Sequence, residues 1–275
     1  MTSAYSSLDT LKSAGVLNLA GNLYDGRLLA LLETASRWID GYCNRPFYAV
    51  SATRLFDGNG RQRLPLPDLI GITALQTRPN PGAAWIEWAV EDYQPYPADA
   101  GPRQPGGRPY GGVAVSPEGA AAGRVFPAGV ATVSIAGLWG FGAVTAASGT
   151  TLKAGSPLTA AANTLTAAAE GKISAGQTLA IGAEQLYVTA VEGAAVAVWR
   201  GVNGTAAAAH DAETAMAVYQ YPGPVAEAAL QLAADWWHRR DRFALPGAGG
   251  AAGESSPGRA VTELLAAYRR LAVGG

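Results

Sequence analysis

The chain has 275 residues, enough for one large core or two modest ones, and 49% of them are hydrophobic, many of those alanine. Only 15% are charged and the formal net charge is -1, so there is no basic field for coating nucleic acid, and the surface suits assembly better than solitude. Cys43 is the one cysteine, which excludes an internal disulfide and any multi-thiolate metal site and fits folding in a reducing cytoplasm.

Residues 1–19 carry one lysine and no continuous apolar core of signal-peptide length, and no later run approaches about 18 uninterrupted apolar residues. Neither export by that route nor a membrane span is expected. The segment Ser7-Leu-Asp-Thr-Leu-Lys-Ser-Ala-Gly15 reads as a short helix, with Ser7 as N-cap and Gly15 as stop. A stronger helix is predicted over 25–42, where Leu28, Leu31, Leu32, Ala35, Trp38, Ile39 and Tyr42 follow helical spacing and Arg27, Glu33, Arg37 and Asp40 fall mostly on the other face. Pro46 bars its continuation.

From 52 to 139 the texture changes to short Thr-, Val- and aromatic-rich runs broken by Gly and Pro, which predicts strands near 52–57, 62–66, 70–77, 84–90, 112–115 and 130–136. Asp57-Gly-Asn-Gly60 supplies the residues a tight hairpin needs, and 98–112 reads as a surface loop. Near Ala143 the composition shifts to Ala, Thr and Gly and stays so to about Tyr221. Strands are predicted at 177–182, 184–191 and 194–200, suggesting a small β-barrel or sandwich inserted as a second unit.

Helix returns at Pro224, a good first helical residue. Val225, Ala229, Leu232 and Trp236 form one apolar stripe, and Ala226, Leu230, Ala233 and Trp237 form a second beside it, so this helix needs cover over a wide arc. The stretch 245–258 has linker composition, and a last amphipathic helix is predicted over 259–272 with Val261, Leu264, Leu265, Tyr268 and Leu271 on one side.

Candidate chemistry is sparse. His210 and His238 lie in different predicted units with no evident partner, so they read as surface or interface residues rather than a metal or nucleophile–base site. Glu87, Glu91 and Asp92 form the densest carboxylate group. Alternation would place Glu87 and Glu91 on one strand face, as paired glycosidase carboxylates would require, but charges guarding a strand edge explain them as well. The glycines at 140–142 and 247–253 lack the context of a P-loop or a dinucleotide fold, and Asp57–Gly60 lacks the remaining ligands of a calcium loop. No catalytic residue, cofactor site or metal site is assigned. The basic group His238-Arg-Arg-Asp-Arg242 has two readings: a complement to the helix C-terminal dipole, or a partner contact beside Trp236 and Trp237.

Three segments carry a resemblance: Trp38-Ile-Asp-Gly-Tyr-Cys-Asn-Arg-Pro-Phe47 at the end of the long helix, the strand end Val133-Ser-Ile-Ala-Gly-Leu-Trp-Gly140, and Pro224-Val-Ala-Glu-Ala-Ala-Leu leading into Trp236-Trp-His-Arg-Arg-Asp. In pattern and order they resemble the head–tail connector (adaptor) proteins of tailed bacteriophages. The likeness covers 1–142 and 222–243, while 184–210 is similar to a β module of phage structural proteins.

The resemblance implies an α+β fold: a core of 1–142 plus 222–243, with N- and C-terminal helices packed together beside a β portion, an inserted all-β domain over 143–221, and a linker with a docking helix over 244–275. It implies a non-enzymatic virion protein, assembled in the bacterial cytoplasm and placed at the head–tail junction. Its expected partners are the portal protein, a neck or tail completion (stopper) protein, and further copies of itself in a dodecameric ring through which DNA passes without sequence-specific binding. The expected portal and ring contacts are Trp236, Trp237, Arg239, Arg240, Arg242, Leu264, Leu265, Tyr268, Arg269 and Arg270. The inserted domain is expected to fold alone and the C-terminal arm to be the main portal contact. Two other classes remain open on sequence: a tail or neck accessory protein working through its β module, and a glycan-active enzyme using Glu87 and Glu91.

Overall fold

The computed structural model describes residues 3–118, 120, 122–239 and 258–270. Among them the chain is an α+β protein with four α-helices and two antiparallel six-stranded sheets. It divides into two compact units, one being Pro46–Val144 and the other Met1–Arg45 together with Thr145–Gly275.

The unit Pro46–Val144 holds β1 (Val50–Gly58), β2 (Arg63–Thr77), β3 (Ile86–Glu87), β4 (Tyr93–Tyr96), β5 (Tyr110–Val115) and β6 (Gly129–Trp139) in the order β1-β6-β2-β5-β4, with β3 on β2. The predicted strands 62–66 and 70–77 are one strand, its register shifting between Pro65 and Leu69 where proline cannot donate to the ladder. The predicted 84–90 strand shrinks to Ile86–Glu87, and β4 was not foreseen. Asp57–Gly60 does not close a hairpin, because β6 lies between β1 and β2. Its glycine serves close approach instead: a Cβ on Gly58 would sit 1.8 Å from the Pro127 carbonyl oxygen. Phe56, Val133 and Thr77 share one register row. Leu64, Leu69, Leu75, Val113, Ile135 and Trp139 fill the core of this sheet, and the Trp139 indole donates to the Ala52 carbonyl at 2.9 Å.

The second unit holds α1 (Leu8–Lys12), α2 (Asp25–Cys43), α3 (Gly223–Arg239), α4 (Arg259–Leu265) and the strands β7 (Val144–Thr151), β8 (Thr164–Thr166), β9 (Thr178–Ile181), β10 (Glu184–Glu192), β11 (Ala195–Trp199) and β12 (Ala215–Gln220). The strand order is β7-β12-β9-β10-β11-β8. Three of the six strands match the expected ones. β7 and β8 were missed because their Ala- and Thr-rich sequences show little alternation, and β12 because alanines alternate with its buried Met216 and Val218, so that both faces read as apolar. Leu152, Leu179, Ile181, Leu186 and Val188 are fully buried within this sheet's core.

Ser7 caps α1 as expected, its hydroxyl accepting from the Thr10 amide. α2 stops before Pro46 acts: Asn44 adopts the left-handed conformation, φ 52°, and returns its amide to the carbonyls of Asp40 and Gly41. α2 packs against both α1 and α3, and α3 against α4. α4 ends at Leu265 and continues as a 3-10 turn, Ala266–Tyr268, shorter than the helix expected over 259–272. The 245–257 part of the expected linker lies outside the described residues.

The helices therefore share a unit with 145–221, a partition different from the expected grouping of 1–142 with 222–243. The physical reason is a buried polar seam. Ser3, Ala4 and Tyr5 are almost fully buried. The Ser3 hydroxyl lies 3.2 Å from that of Thr178 and accepts from the Asn203 amide, while Arg37 donates to the Ser3 carbonyl. The Tyr5 amide donates to Ser36 Oγ at 3.0 Å and its hydroxyl donates to Asp40. The Leu8 amide donates to the Ala175 carbonyl, the Asp9 amide to Ser174 Oγ, and the Tyr187 hydroxyl to Glu33 Oε1 at 2.7 Å. Burial, and then the bond to Glu33, push the Tyr187 phenol far above its ordinary range, so it stays a donor.

Candidate interaction surface and a buried ionic clamp

The residues expected to meet partners lie on α3, on α4 and on the turn that follows it. Their availability differs. Trp237 is buried within its own chain, edge-on to Tyr24 at 5.1 Å between ring centroids. Trp236 is half-buried and His238 exposed. Arg239 is held one turn back by Asp235, with Nε–Oδ1 and Nη2–Oδ2 both 2.8 Å, an i,i+4 pair in the last turn of α3. Arg240 and Arg242 lie outside the described residues.

The stripe on α4 already has cover: Val261 and Leu265 are buried, Leu264 and Tyr268 half-buried. The Arg270 amide donates to the Cys43 carbonyl at 2.8 Å, which fixes the end of this segment against the end of α2. Of the charges expected to reach outward, only Arg269 among the described residues is fully exposed, its guanidinium 5.3 Å from the centroid of the Tyr42 ring. Leu265→Ala should then destabilise this unit by about 2–5 kcal/mol. Chemical denaturation would measure it, and a loss near zero would mean that the segment does not depend on packing against its own chain.

The sequence missed a second feature of the same region. Trp38 and Tyr42 follow the helical spacing of the core, yet both are half-buried, and Ser36 and Cys43 take buried positions on α2. The two rings stack on each other, 5.1 Å apart and inclined by 15°. Periodicity alone could not place them, because they flank the apolar stripe. Burial pushes the adjacent Cys43 thiol up to about 11, with Arg45 and Arg269 pulling it down and Asp40 pushing it up, so it is no nucleophile at neutral pH.

His210 is neither a free surface group nor without a partner. Its Nε2 lies 2.8 Å from Glu184 Oε2. The Glu184 side chain, 0% exposed, also accepts from Arg200 through Nε at 2.7 Å and Nη2 at 2.8 Å, and from the amides of Gly201 and Ala208. Arg200 spends its remaining donors on the carbonyls of Thr159, Ala162 and Ala208. Burial alone would raise the Glu184 carboxyl, but these hydrogen bonds outweigh it and hold the group at about 2. The arrangement fastens the 200–210 loop to β10. No local signal marks it, since its members stand 16 and 26 residues apart.

The carboxylates weighed for catalysis do not share a strand face. The strand ends at Glu87, while Glu91 and Asp92 lie in a 3-10 turn, Asp92 buried and the two glutamates exposed. Among the described residues no three His, Cys, Asp or Glu side chains are grouped to hold a metal ion, and no helix is long and apolar enough to cross a membrane.

No family model matches the sequence, and no curated protein does. Among solved structures the chain is similar to one described as the neck of an empty GTA particle computed with C6 symmetry, at 15% identity and a TM-score of 0.40, over 98% of this chain and 91% of the other.

Proposed function

We propose that the chain is a structural virion protein, a head–tail adaptor that forms a ring beneath the portal, extends the DNA channel and joins the capsid to the neck or tail. The observation that carries the reading is the ordered set of three segments similar to connector proteins, which fall on the end of α2 with its Asn44 stop, on the end of β6, and on α3. The low charge content supports it, since a closed ring of heterologous contacts covers surface that a solitary subunit would expose. Its partners would be the portal, a stopper or completion protein, and its own copies; no chemistry on a substrate is assigned. Imaging of intact particles should find it at the junction of head and tail, in as many copies as the ring above it. One or two copies per particle, or a position elsewhere, would overturn the reading.

A further inference from the structure

We propose that the free edge of β1 on one copy of this chain receives the segment 84–90 of the next copy, so that the first sheet continues from subunit to subunit. The inference rests on the ring reading and names the contact that would close the ring.

An open sheet edge is a row of unpaired amides and carbonyls ready to bond another chain, so folded proteins close, shorten or guard such edges. The second sheet closes on itself. β7 and β8, at the two ends of its strand order, meet at the bridge between Leu152 and Ala167, where the Lys153 amide donates to the Thr166 carbonyl and the Ala168 amide to the Thr151 carbonyl, both at 2.9 Å. On the first sheet β4 is four residues long and carries Pro95, which cannot donate to a new strand. β1 has no such protection. It is nine residues long, contains neither proline nor lysine, and among the described residues pairs with β6 alone. Its one cation, Arg54, is laid back over the Trp139 ring, 4.6 Å from the centroid, and Leu55 stands 56% exposed.

The rows that begin at this edge end in a second open one. Leu55, Ser134, Gln76 and Glu87 form one row across β1, β6, β2 and β3, and Phe56, Val133, Thr77 and Ile86 form the next. Among the described residues β3 pairs with β2 alone, and Ile86 and Val90 are 53% and 75% exposed. The stretch 84–90 has the aromatic and β-branched content of a longer strand, yet only Ile86–Glu87 is strand within the single chain. Direction selects the occupant. All three pairings in these rows are antiparallel, so β1 and β3 run opposite ways. A second copy's β3 laid on β1 therefore continues the antiparallel alternation and, with the core faces kept on one side, sets Ile86 on the face of Phe56 and Glu87 on the face of Leu55. β1 laid on a second β1 would instead bring two Arg54 side chains onto one face, and it would stop at a dimer. Two different edges joined head to tail are what a closed ring needs, and adding a strand to an open edge supplies the main-chain bonds.

The test uses the full-length protein and a short bis-maleimide crosslinker. Leu55 and Glu87 are exposed, so Leu55→Cys and Glu87→Cys leave the core intact, and the native Cys43 is buried and does not react. A mixture of the two single variants should give crosslinked dimers, and the Leu55→Cys/Glu87→Cys double variant a ladder that ends in a closed ring, while each single variant alone stays uncrosslinked. Leu55→Lys and Ile86→Lys, charges of the kind that guard natural edges, should each weaken association in sedimentation about tenfold, with circular dichroism unchanged. Leu55→Cys crosslinking to itself overturns the proposal in favour of β1 on β1. An oligomeric protein whose double variant gives no ladder has its subunit contact elsewhere, which overturns this contact while the ring reading stands. A chain that is monomeric at every concentration, its double variant uncrosslinked, overturns the contact too, and the copy number in particles then decides the ring reading by itself.

Discussion

Replacing Glu184 with glutamine is expected to cost its unit about 3–5 kcal/mol, because breaking one side of a buried ion pair leaves the other charge uncompensated. Arg200 would keep its charge with its side chain 8% exposed, and the glutamine amide would turn a donor toward groups that already donate. At about 2–4 °C per kcal/mol, this unit's melting transition should fall by about 6–20 °C. Exposed Glu213, changed in the same way, should move stability by no more than about 0.5 kcal/mol. The pH dependence gives a second reading of the same group. A carboxyl held at about 2 in the folded chain, against an ordinary 4.5, stabilises the fold fully above its unfolded value and loses that contribution as pH falls toward 2. Wild type should therefore lose stability over this acid window, and Glu184→Gln should lose less there. Matching acid profiles for the two proteins would show that the clamp does not govern acid unfolding.

Excising 146–221 and bridging the gap with a short Gly/Ser linker is expected to unfold the helices, the reverse of what an independently folding insertion would do. The cut would remove the partners of Ser3, Glu33 and the Leu8 and Asp9 amides, and it would expose the surface that buries Ser3, Ala4 and Tyr5. Each buried polar group left unsatisfied costs about 1–3 kcal/mol, so a handful of them equals the whole stability of an ordinary domain. Hydrogen exchange would follow the two units separately. Amides of α2 should lose their protection, while those of β2 and β6, inside Pro46–Val144, keep theirs. Protected α2 amides in the shortened chain would mean that the helices are stable without the second sheet.

Long periodic elements were legible in the sequence. α2 declared itself by apolar spacing, although Asn44 and not Pro46 ends it, and α3 by Pro224 and a double stripe. The first sheet was legible in most of its strands but not in their order, since β6 reaches its place beside β1 through pairings that span more than 70 residues. The grouping of helices with the second sheet was hidden for a different reason. It depends on short polar side chains, Ser3, Ser36, Thr178 and Asn203, whose spacing carries no signal until the backbone brings them together. Of the expected partner residues, hydrophobicity picked out Trp237 and Leu265 correctly as side chains in need of cover, but it could not say that this chain covers them itself.

The polar seam also sets an order of events during synthesis. Pro46–Val144 is continuous and can complete its sheet as soon as it leaves the ribosome, whereas the other unit is split around it. At about 5–20 residues per second, the first 45 residues wait on the order of ten seconds or more before β9 and β10 emerge to receive Ser3, Tyr5 and Glu33. Through that interval the apolar stripe of α2 has no finished surface to cover it, which makes the nascent amino-terminal segment the part of this chain that chaperones would hold longest.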